Sequence, residues 1–205
     1  MPTSTPGRRR HETSGEGARV SRLPFVATPI AGLQVVTRQP RGDARGLFER
    51  LFCADELRDA GWTRPLAQVN RSRTARAGTV RGLHFQHAPH AETKLVSCLR
   101  GEVWDVALDL RRGSPTFLQW FGTTLSEANG QALLIPPGCA HGFQALSDDA
   151  ELLYCHDAAY EAKAEDGVHP LDPRIDVRWP LPMAGLSERD AGRAYLAPDF
   201  DGVPT

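Results

Sequence analysis

Short apolar or alternating runs recur along the chain after residue 22, and turn-forming residues separate them. The runs cover residues 32–36, 79–85, 94–99, 102–110, 117–125, 132–136, 142–146 and 151–155. Clusters of Gly, Pro, Asn and Ser lie between them, for example at residues 112–115 and 136–138. Many short strands at regular spacing, with such turns between them, are typical of a sandwich or barrel. The pattern therefore predicts an all-β domain.

Signals for helices are few. Residues 54–60 are predicted to form a helix that ends at Gly61, because glycine readily adopts the left-handed conformation that closes a helix. The Leu-Ser-Glu-Arg-Asp segment at residues 186–190 is expected to form a second short helix. Both helices would lie at the periphery of the β domain.

The two ends of the chain differ from its middle. Residues 1–22 are dominated by Ser, Thr, Gly, Pro and Arg, which predicts a disordered extension, and they hold no apolar run that would make a secretory signal. The arginines at residues 8–10 are expected to be solvated. The ordered domain is predicted to span residues 23–190, followed by a tail at 191–205, with the Pro-rich chain after Asp172 running over the surface.

Composition limits the possible partners and compartments. A length of 205 residues suits one domain. The net charge of −1 and the pI of about 6.7 indicate no attraction to nucleic acid or to a membrane surface. No run of 18 apolar residues is present, so no membrane span is expected. The four cysteines are dispersed without a C-x-x-C pair, which favours free buried thiols and a cytoplasmic location.

The segment from Gly78 to Asp105 carries ionisable side chains on short apolar strands, namely Arg81, His84, Lys94 and Asp105. A buried strand face normally rejects charge, because an unpaired ion costs several kcal/mol to desolvate. Several such groups on neighbouring strands therefore indicate a lined cavity rather than a filled core.

The motifs that carry these residues also resemble a known family. Arg-Gly-Leu-His-Phe-Gln at residues 81–86, Lys-Leu-Val at 94–96 and Gly-Glu-Val-Trp-Asp at 101–105 are similar to those of the dTDP-4-dehydrorhamnose 3,5-epimerases. The resemblance implies a cupin jelly roll and a cofactor-free enzyme that inverts carbons of a keto-sugar carried on dTDP. It also implies a homodimer that exchanges strands and contributes residues across the interface.

The resemblance assigns acid–base roles. His84 is expected to be the base, oriented by Asp190, and Tyr154 the proton donor on the opposite face of the sugar ring. Lys94 is expected to stabilise the enolate formed beside the C4 ketone. From the residues alone, His84 and Tyr154 would equally suit hydrogen-bonded core positions, and Asp190 a charge on a surface helix.

The resemblance also implies a set of substrate-binding residues. Arg81 would face the diphosphate, and His141 in Ile-Pro-Pro-Gly-Cys-Ala-His-Gly-Phe would contribute to the substrate site. The remaining expected contacts are Arg45, Gln68, Asn70, Tyr160, which would stack on thymine, and Arg189. The chain departs from the family at Arg50, where many members have glutamate, and at Arg189, where many have lysine.

Three alternatives remain open at this point. A mono-epimerase that inverts only C3 or only C5 would share the same base and acid. A non-catalytic cupin that only binds a sugar nucleotide would have no use for a base–acid pair. A metal cupin is not expected, because the position two after His84 is Gln86, and His87 and His90 lie in a Pro-containing loop.

Overall fold

The protein is described by a computed structural model that covers residues 21–204. Most of the predicted N-terminal extension, including the arginines at residues 8–10, lies outside the described residues. The strands are β1 (Phe25–Ala27), β2 (Gln34–Thr37), β3 (Arg41–Asp43), β4 (Gly46–Phe48), β5 (Gln68–Thr74), β6 (Val80–Gln86), β7 (Lys94–Arg100), β8 (Glu102–Asp109), β9 (Trp120–Ser126), β10 (Gln131–Ile135), β11 (Cys139–Ala145), β12 (Ala150–His156) and β13 (Glu165–Gly167). Two short helices, α1 (Ala54–Leu57) and α2 (Glu188–Ala191), complete the elements.

The strands form two facing antiparallel sheets. The larger has the order β1-β2-β10-β7-β12-β5, and the smaller has the order β13-β6-β11-β8-β9. Strands β3 and β4 form a separate hairpin. Because chain neighbours are distributed between the two sheets, the arrangement is a jelly roll. The predicted all-β cupin class is confirmed.

The main core lies between the two sheets. Alternate residues of each strand point inward, so that Val96 and Cys98 of the larger sheet pack with Val103, Ala107 and Phe143 of the smaller one. Each fully buried aliphatic or aromatic side chain contributes about 1.5–3 kcal/mol by leaving water. This layer holds the two sheets together and extends to the cavity described below, which Phe143 also lines.

The outer faces of both sheets are covered as well. Leu83 and Val106 point to the outer face of the smaller sheet, where they pack against Ile175 and Val203 of the C-terminal chain. On the other sheet, Leu57 of α1 and Trp62 after it cover Leu95 and Leu134. Strands buried on both faces read as continuous apolar runs. The C-terminal chain therefore runs over the surface as predicted, although it seals a second core there.

Three local predictions need correction. Helix α1 ends at Leu57 rather than at residue 60, because the chain continues as tight turns, in which the N–H groups of Ala60 and Trp62 both donate to the Leu57 carbonyl. Gly61 still closes this segment, with φ of +116°. The run at 117–125 becomes a strand only at Trp120, since residues 117–119 form turns. The predicted runs also missed the three-residue strands β1, β3, β4 and β13, and the longer strand β5, whose polar, largely exposed residues lie at a sheet edge.

Candidate active site

A cavity of about 640 Å³ opens between the two sheets, and α2 closes one side of it. Both sheets contribute to its walls. The predicted site residues that line it are Asn70, Arg81, His84, Lys94, His141, Tyr154, Arg189 and Asp190. The structure thus gathers the predicted acid–base residues at one place, although they are spread over more than a hundred positions of the chain.

Strand register builds the wall formed by the larger sheet. Tyr154 on β12 lies opposite Asn70 on β5, and His156, two residues later, lies opposite Gln68 on β5 and Lys94 on β7. Because side chains alternate along a strand, residues directly opposite each other share a face. The sheet therefore presents two adjacent polar rows to the cavity.

The other wall is formed by β6 and β11 of the smaller sheet, where His84 lies opposite His141. The register shifts between His141 and Phe143, and the backbones approach closely there. A Cβ on Gly82 would lie 2.5 Å from the Cα of Gly142, and Gly82 has φ of +120°. The glycine of the Arg-Gly-Leu-His motif is required because no side chain fits between these strands.

His84 and Asp190 form a hydrogen-bonded pair, with 2.6 Å between His84 Nε2 and Asp190 Oδ1. Ser187 caps α2 by accepting a hydrogen bond from the Asp190 backbone N–H, which fixes the carboxylate. Burial opposes the ionisation of Asp190 and is the largest single influence on its pKa. The hydrogen bond and charge of His84, together with the hydrogen bonds from Gly82 and Ser187, outweigh burial and lower the pKa of this carboxyl. An ionised acceptor at Nε2 assigns the proton of the neutral imidazole to Nε2, so that Nδ1 is left as the basic atom.

A second pair joins His141 to Asp105, with 2.8 Å between Nε2 and Oδ2. Asp105 is completely buried, and burial raises the pKa of its carboxyl, while His141 counteracts part of the rise. Within residues 21–204 the other carboxylate oxygen, Oδ1, has no hydrogen-bond partner. The buried carboxylate of Asp105 therefore fixes the orientation of the His141 ring.

Tyr154 faces the cavity from the wall opposite His84. Its hydroxyl lies 3.1 Å from the hydroxyl of Ser72 on the neighbouring strand. Burial raises the pKa of the Tyr154 hydroxyl, with the bond to Ser72 acting in the other direction. The phenol is therefore protonated at neutral pH and able to donate.

Lys94 is buried in an ion pair at the cavity floor. Its Nζ lies 2.8 Å from Glu92 Oε1 and donates to the His84 carbonyl at 3.3 Å. Gln86 Nε2 donates to the other Glu92 oxygen at 2.8 Å. Gln86 thus holds the partner of Lys94, and the ammonium is fixed beside the strand that carries His84.

A smaller cavity of about 100 Å³ adjoins the main one and shares His84 and Lys94 with it. Gln68 and Tyr160 lie here, and the Gln68 side chain accepts a hydrogen bond from the Tyr160 backbone N–H at 3.0 Å. The Tyr160 hydroxyl donates to Glu165 at 2.6 Å, and Arg189 forms an ion pair with the same carboxylate.

Two arginines that the sequence analysis singled out lie at the periphery: Arg45, a predicted substrate contact, and Arg50, where many family members have glutamate. Arg45 lies on the β3–β4 hairpin, where its side chain is 90% exposed, pairs with Asp43 and lines neither cavity. Arg50 forms an ion pair with Glu56 of α1. By contrast, Arg81 lies at the cavity and donates from Nε to Thr74 at 3.2 Å.

Comparison with known proteins identifies the family. A family model described as dTDP-4-dehydrorhamnose 3,5-epimerase matches residues 27–197. The chain belongs to this epimerase family. Its curated relatives include a dTDP-4-dehydrorhamnose 3-epimerase from Streptomyces niveus, which is 42% identical over 86% of this chain and 86% of the relative. A 3,5-epimerase from Pseudomonas aeruginosa is 43% identical over 84% of this chain and 97% of the relative.

Solved structures of the epimerase family have the same fold. The dTDP-6-deoxy-D-glucose-3,5-epimerase from Legionella pneumophila, in complex with dTDP-4-keto-L-rhamnose, aligns with a TM-score of 0.79. It is 41% identical, and the match covers 82% of this chain and 90% of that one. The family-model match at residues 27–197 takes in the strands from β2 onward and the segment that carries α2.

Sequence reasoning missed several polar side chains in the cavity of this epimerase-family chain, among them Ser72 and His156. His156 lines both cavities, and its Nε2 is buried without a hydrogen-bond partner in the described part of the chain. Burial, together with the charge of Lys94, lowers the pKa of His156 to about 4. The available signal was its position two residues after Tyr154, one residue past the predicted run at 151–155, because residues i and i+2 of a strand share a face.

Two further observations concern the residues that the structure describes. Between residues 21 and 204, no three His, Cys, Asp or Glu side chains come together as a possible metal site. No helix in this range is long and apolar enough to cross a membrane.

Proposed function

We propose that this epimerase inverts C3 and C5 of dTDP-4-keto-6-deoxyglucose by acid–base chemistry in the cavity between the sheets, yielding dTDP-4-keto-L-rhamnose. The observation that supports it best is the placement of the His84–Asp190 pair on one wall and Tyr154 on the other. Inversion at carbon requires a base and an acid on opposite faces of the ring, because a proton returned from the base's own side restores the starting configuration.

The first step is removal of a proton from a carbon next to the C4 ketone. His84 accepts that proton at Nδ1. The C–H electron pair forms a C=C bond to C4, and the negative charge moves to the C4 oxygen, which gives an enolate. Asp190 stabilises the resulting imidazolium through the 2.6 Å hydrogen bond. The same base serves C3 and C5 in turn, after the ring changes its position between the two steps.

Lys94 stabilises the enolate oxygen. A fixed cation or donor at a developing oxyanion contributes roughly 3–4 kcal/mol to the transition state. The Glu92 and Gln86 contacts hold the Lys94 ammonium in place before the substrate arrives, so that little reorganisation is needed during the reaction.

Tyr154 completes the inversion by donating its phenolic proton to the opposite face of the enolate carbon. Its raised pKa keeps the proton in place until the carbanion forms. Ser72 holds the hydroxyl from the neighbouring strand. The phenolate then regains a proton from solvent, and His84 releases the one that it took.

We assign the nucleotide part of the substrate to the cavity mouth. Arg81, whose planar guanidinium suits two phosphate oxygens, faces the diphosphate together with Asn70 and Gln68. Tyr160 is 55% exposed and offers its ring for stacking on the thymine. Arg189 lies beside it, next to Glu165, and His141 contacts the sugar from the smaller sheet.

We further propose a homodimer in which the β3–β4 hairpin reaches the partner's site. Leu47 and Phe48 on this hairpin are 67% and 72% exposed, which is unfavourable for large apolar side chains in water. Arg45 lies on the same hairpin. In the dimer, Leu47 and Phe48 would be covered, and Arg45 would complete the nucleotide site of the other subunit.

Mixed dimers test this arrangement. We expect Arg45→Ala and His84→Ala homodimers each to have low activity, and dimers that combine one chain of each to regain activity. If Arg45 acts across the interface, one site of the mixed dimer combines His84 of the Arg45→Ala chain with Arg45 of the His84→Ala chain, so that both residues are wild type there. If Arg45 served its own subunit, every site in the mixed dimer would be defective and no activity would return.

A 3-epimerase is the second candidate, because a relative of that name is 42% identical to this chain. Both candidates use the same base and acid, so the number of inverted carbons decides between them. Incubation with dTDP-4-keto-6-deoxyglucose in deuterated water, followed by NMR, tests both. Deuterium and inversion at C3 and C5 support the 3,5-epimerase, at C3 alone the mono-epimerase, and at neither carbon contradict both.

The cytoplasm is the compartment that we propose. The four cysteines are free thiols, three of them buried, within the described residues. Cysteines of secreted domains are usually paired, whereas a reducing compartment keeps them as thiols.

A further inference from the structure

A largely buried arginine, Arg193, lies next to the His84–Asp190 pair. The Nε of Arg193 is 4.0 Å from Asp190 Oδ1, the oxygen that accepts the hydrogen bond from His84. The Arg193 side chain is only 13% exposed. Its Nε is buried and has no hydrogen-bond partner among residues 21–204, so this end of the guanidinium has the Asp190 carboxylate as its nearest anion.

The guanidinium is held in place from two sides. Its Nη1 donates to Asp166 Oδ1 at 3.1 Å. A Cβ on Gly167 would lie 2.6 Å from Arg193 Cζ, so the guanidinium occupies the space that a side chain at residue 167 would fill. Gly167 on β13 is the register partner of His84 on β6. Arg193 is therefore packed against the strand position next to the proposed base.

Other charged and titratable groups also surround the pair. Glu165 pairs with Arg189 on the cavity side, and Asp166 contacts His87 as well as Arg193. Lys94 donates to the His84 carbonyl, and His141 lies opposite His84 on β11. Arg193 is the cation that approaches Asp190 from the side away from the cavity.

We propose, on the basis of the function proposed above, that Arg193 is a positioning residue whose charge sets the pH range over which the His84–Asp190 pair acts as a base. A cation beside Asp190 keeps that carboxylate ionised and within hydrogen-bond distance of His84 Nε2. It also opposes the positive charge that His84 acquires on protonation. The imidazole therefore stays neutral, and able to accept a proton from carbon, to lower pH than it would beside an uncompensated carboxylate.

The consequence of removing the charge has a definite sign. In Arg193→Met, the imidazolium–carboxylate pair loses an opposing cation, so protonation of His84 becomes more favourable. The acidic limb of kcat/KM against pH should then move to higher pH by roughly one unit. Below the limb, activity should fall about tenfold relative to wild type, whereas the plateau at higher pH should change only a few-fold. Arg193→Lys keeps the charge and should restore the wild-type limb.

The experiment combines two measurements on wild type, Arg193→Met and Arg193→Lys. One is kcat/KM for dTDP-4-keto-6-deoxyglucose across the acidic limb. The other is the NMR titration of the His84 ring in substrate-free protein, which needs no turnover. Arg112→Met is the matched control, because Arg112 pairs with the exposed Asp201 and should leave both titrations unchanged. Arg193→Gln replaces the Met variant if that variant does not fold.

The outcomes separate the two proposals. A shift to higher pH in the uncharged variants, absent in Arg193→Lys, supports the role of Arg193. Equal loss of activity at every pH in the Met and Lys variants, with an unmoved His84 titration, would overturn it and make Arg193 a packing residue. If wild type does not act on the keto-sugar, the epimerase proposal fails, yet the NMR titration still decides whether Arg193 is coupled to His84.

Discussion

At the scale of single residues, two histidine–aspartate pairs with similar hydrogen bonds differ in their access to the cavity. The His84 side chain is 32% exposed, whereas that of His141 is 8% exposed. Asp190 and Asp105, their partners, are both buried. A base must reach the carbon from which it takes a proton, and this requirement favours His84 over His141.

We predict that His84→Ala lowers deuterium exchange at the sugar carbons by about 10²–10⁴-fold and leaves dTDP binding within a few-fold. A base acts on the reacting carbon and contributes little to holding the diphosphate. Exchange is followed by NMR and dTDP affinity by calorimetry. His87→Ala is the control, because His87 is exposed outside the main cavity. Loss of dTDP affinity with retained exchange would exclude His84 as the base.

Tyr154→Phe should separate exchange from inversion. His84 can still remove a proton, but the enolate is then reprotonated from the original side, so deuterium incorporation outruns inverted product. Loss of the bond to Ser72 should cost about 0.5–1.5 kcal/mol of unfolding free energy, since ring volume is kept. The ratio of exchange to inversion is the decisive quantity. If both rates fall in parallel and the ratio is unchanged, another group delivers the proton.

At the scale of elements, the site depends on how closely and in what register the strands meet. Lys94 and His156 are opposite each other on β7 and β12, and His84 and His141 on β6 and β11. Each pair is set by backbone hydrogen bonds of a ladder rather than by the side chains themselves. A slip of one residue would turn these polar side chains away from the cavity.

Gly82→Ala tests the close approach of β6 and β11. The added Cβ would meet Gly142 Cα at 2.5 Å and the His141 carbonyl at 2.8 Å, so we expect a loss of about 3 kcal/mol or more in unfolding free energy. Gly113→Ala is the control, because Gly113 also has positive φ but nothing within 4 Å of the added Cβ. It should lose only about 1 kcal/mol. Equal losses in urea unfolding would show that conformation, rather than strand approach, requires glycine at residue 82.

At the scale of the whole molecule, the C-terminal chain links stability to the site. It covers the outer face of the smaller sheet through Val168, Ile175 and Val177 and then returns α2 to the cavity. Asp190 meets His84 across 106 positions of sequence as a result. Loosening of this outer layer should therefore disturb the hydrogen bond between His84 and Asp190 before it disturbs the core between the sheets.

The buried His156 makes global stability depend on pH. Its pKa is 6.5 when exposed and about 4 in the fold, so the unfolded chain takes up a proton first as pH falls. The contribution of His156 to stability is full above about pH 6.5 and should decrease by up to roughly 3 kcal/mol as pH falls to about 4. Urea unfolding at several pH values should show a smaller decrease in His156→Gln than in wild type. His87→Gln, at an exposed position, should keep the wild-type dependence, and an unchanged slope in His156→Gln would contradict the buried neutral histidine.

The sequence by itself determined the all-β class, most strand positions and the family, because alternation, turn residues and short motifs are local signals. It also named eight of the residues that line the cavity, through the motifs around His84, Tyr154 and Asp190. The tertiary structure decided what local signals do not encode: the polar edge strand β5, the pairing of Lys94 with Glu92, and the places of His156 and Arg193. Those depend on which strands become neighbours and in what register, and on where the C-terminal chain packs, which are set by burial over the whole molecule.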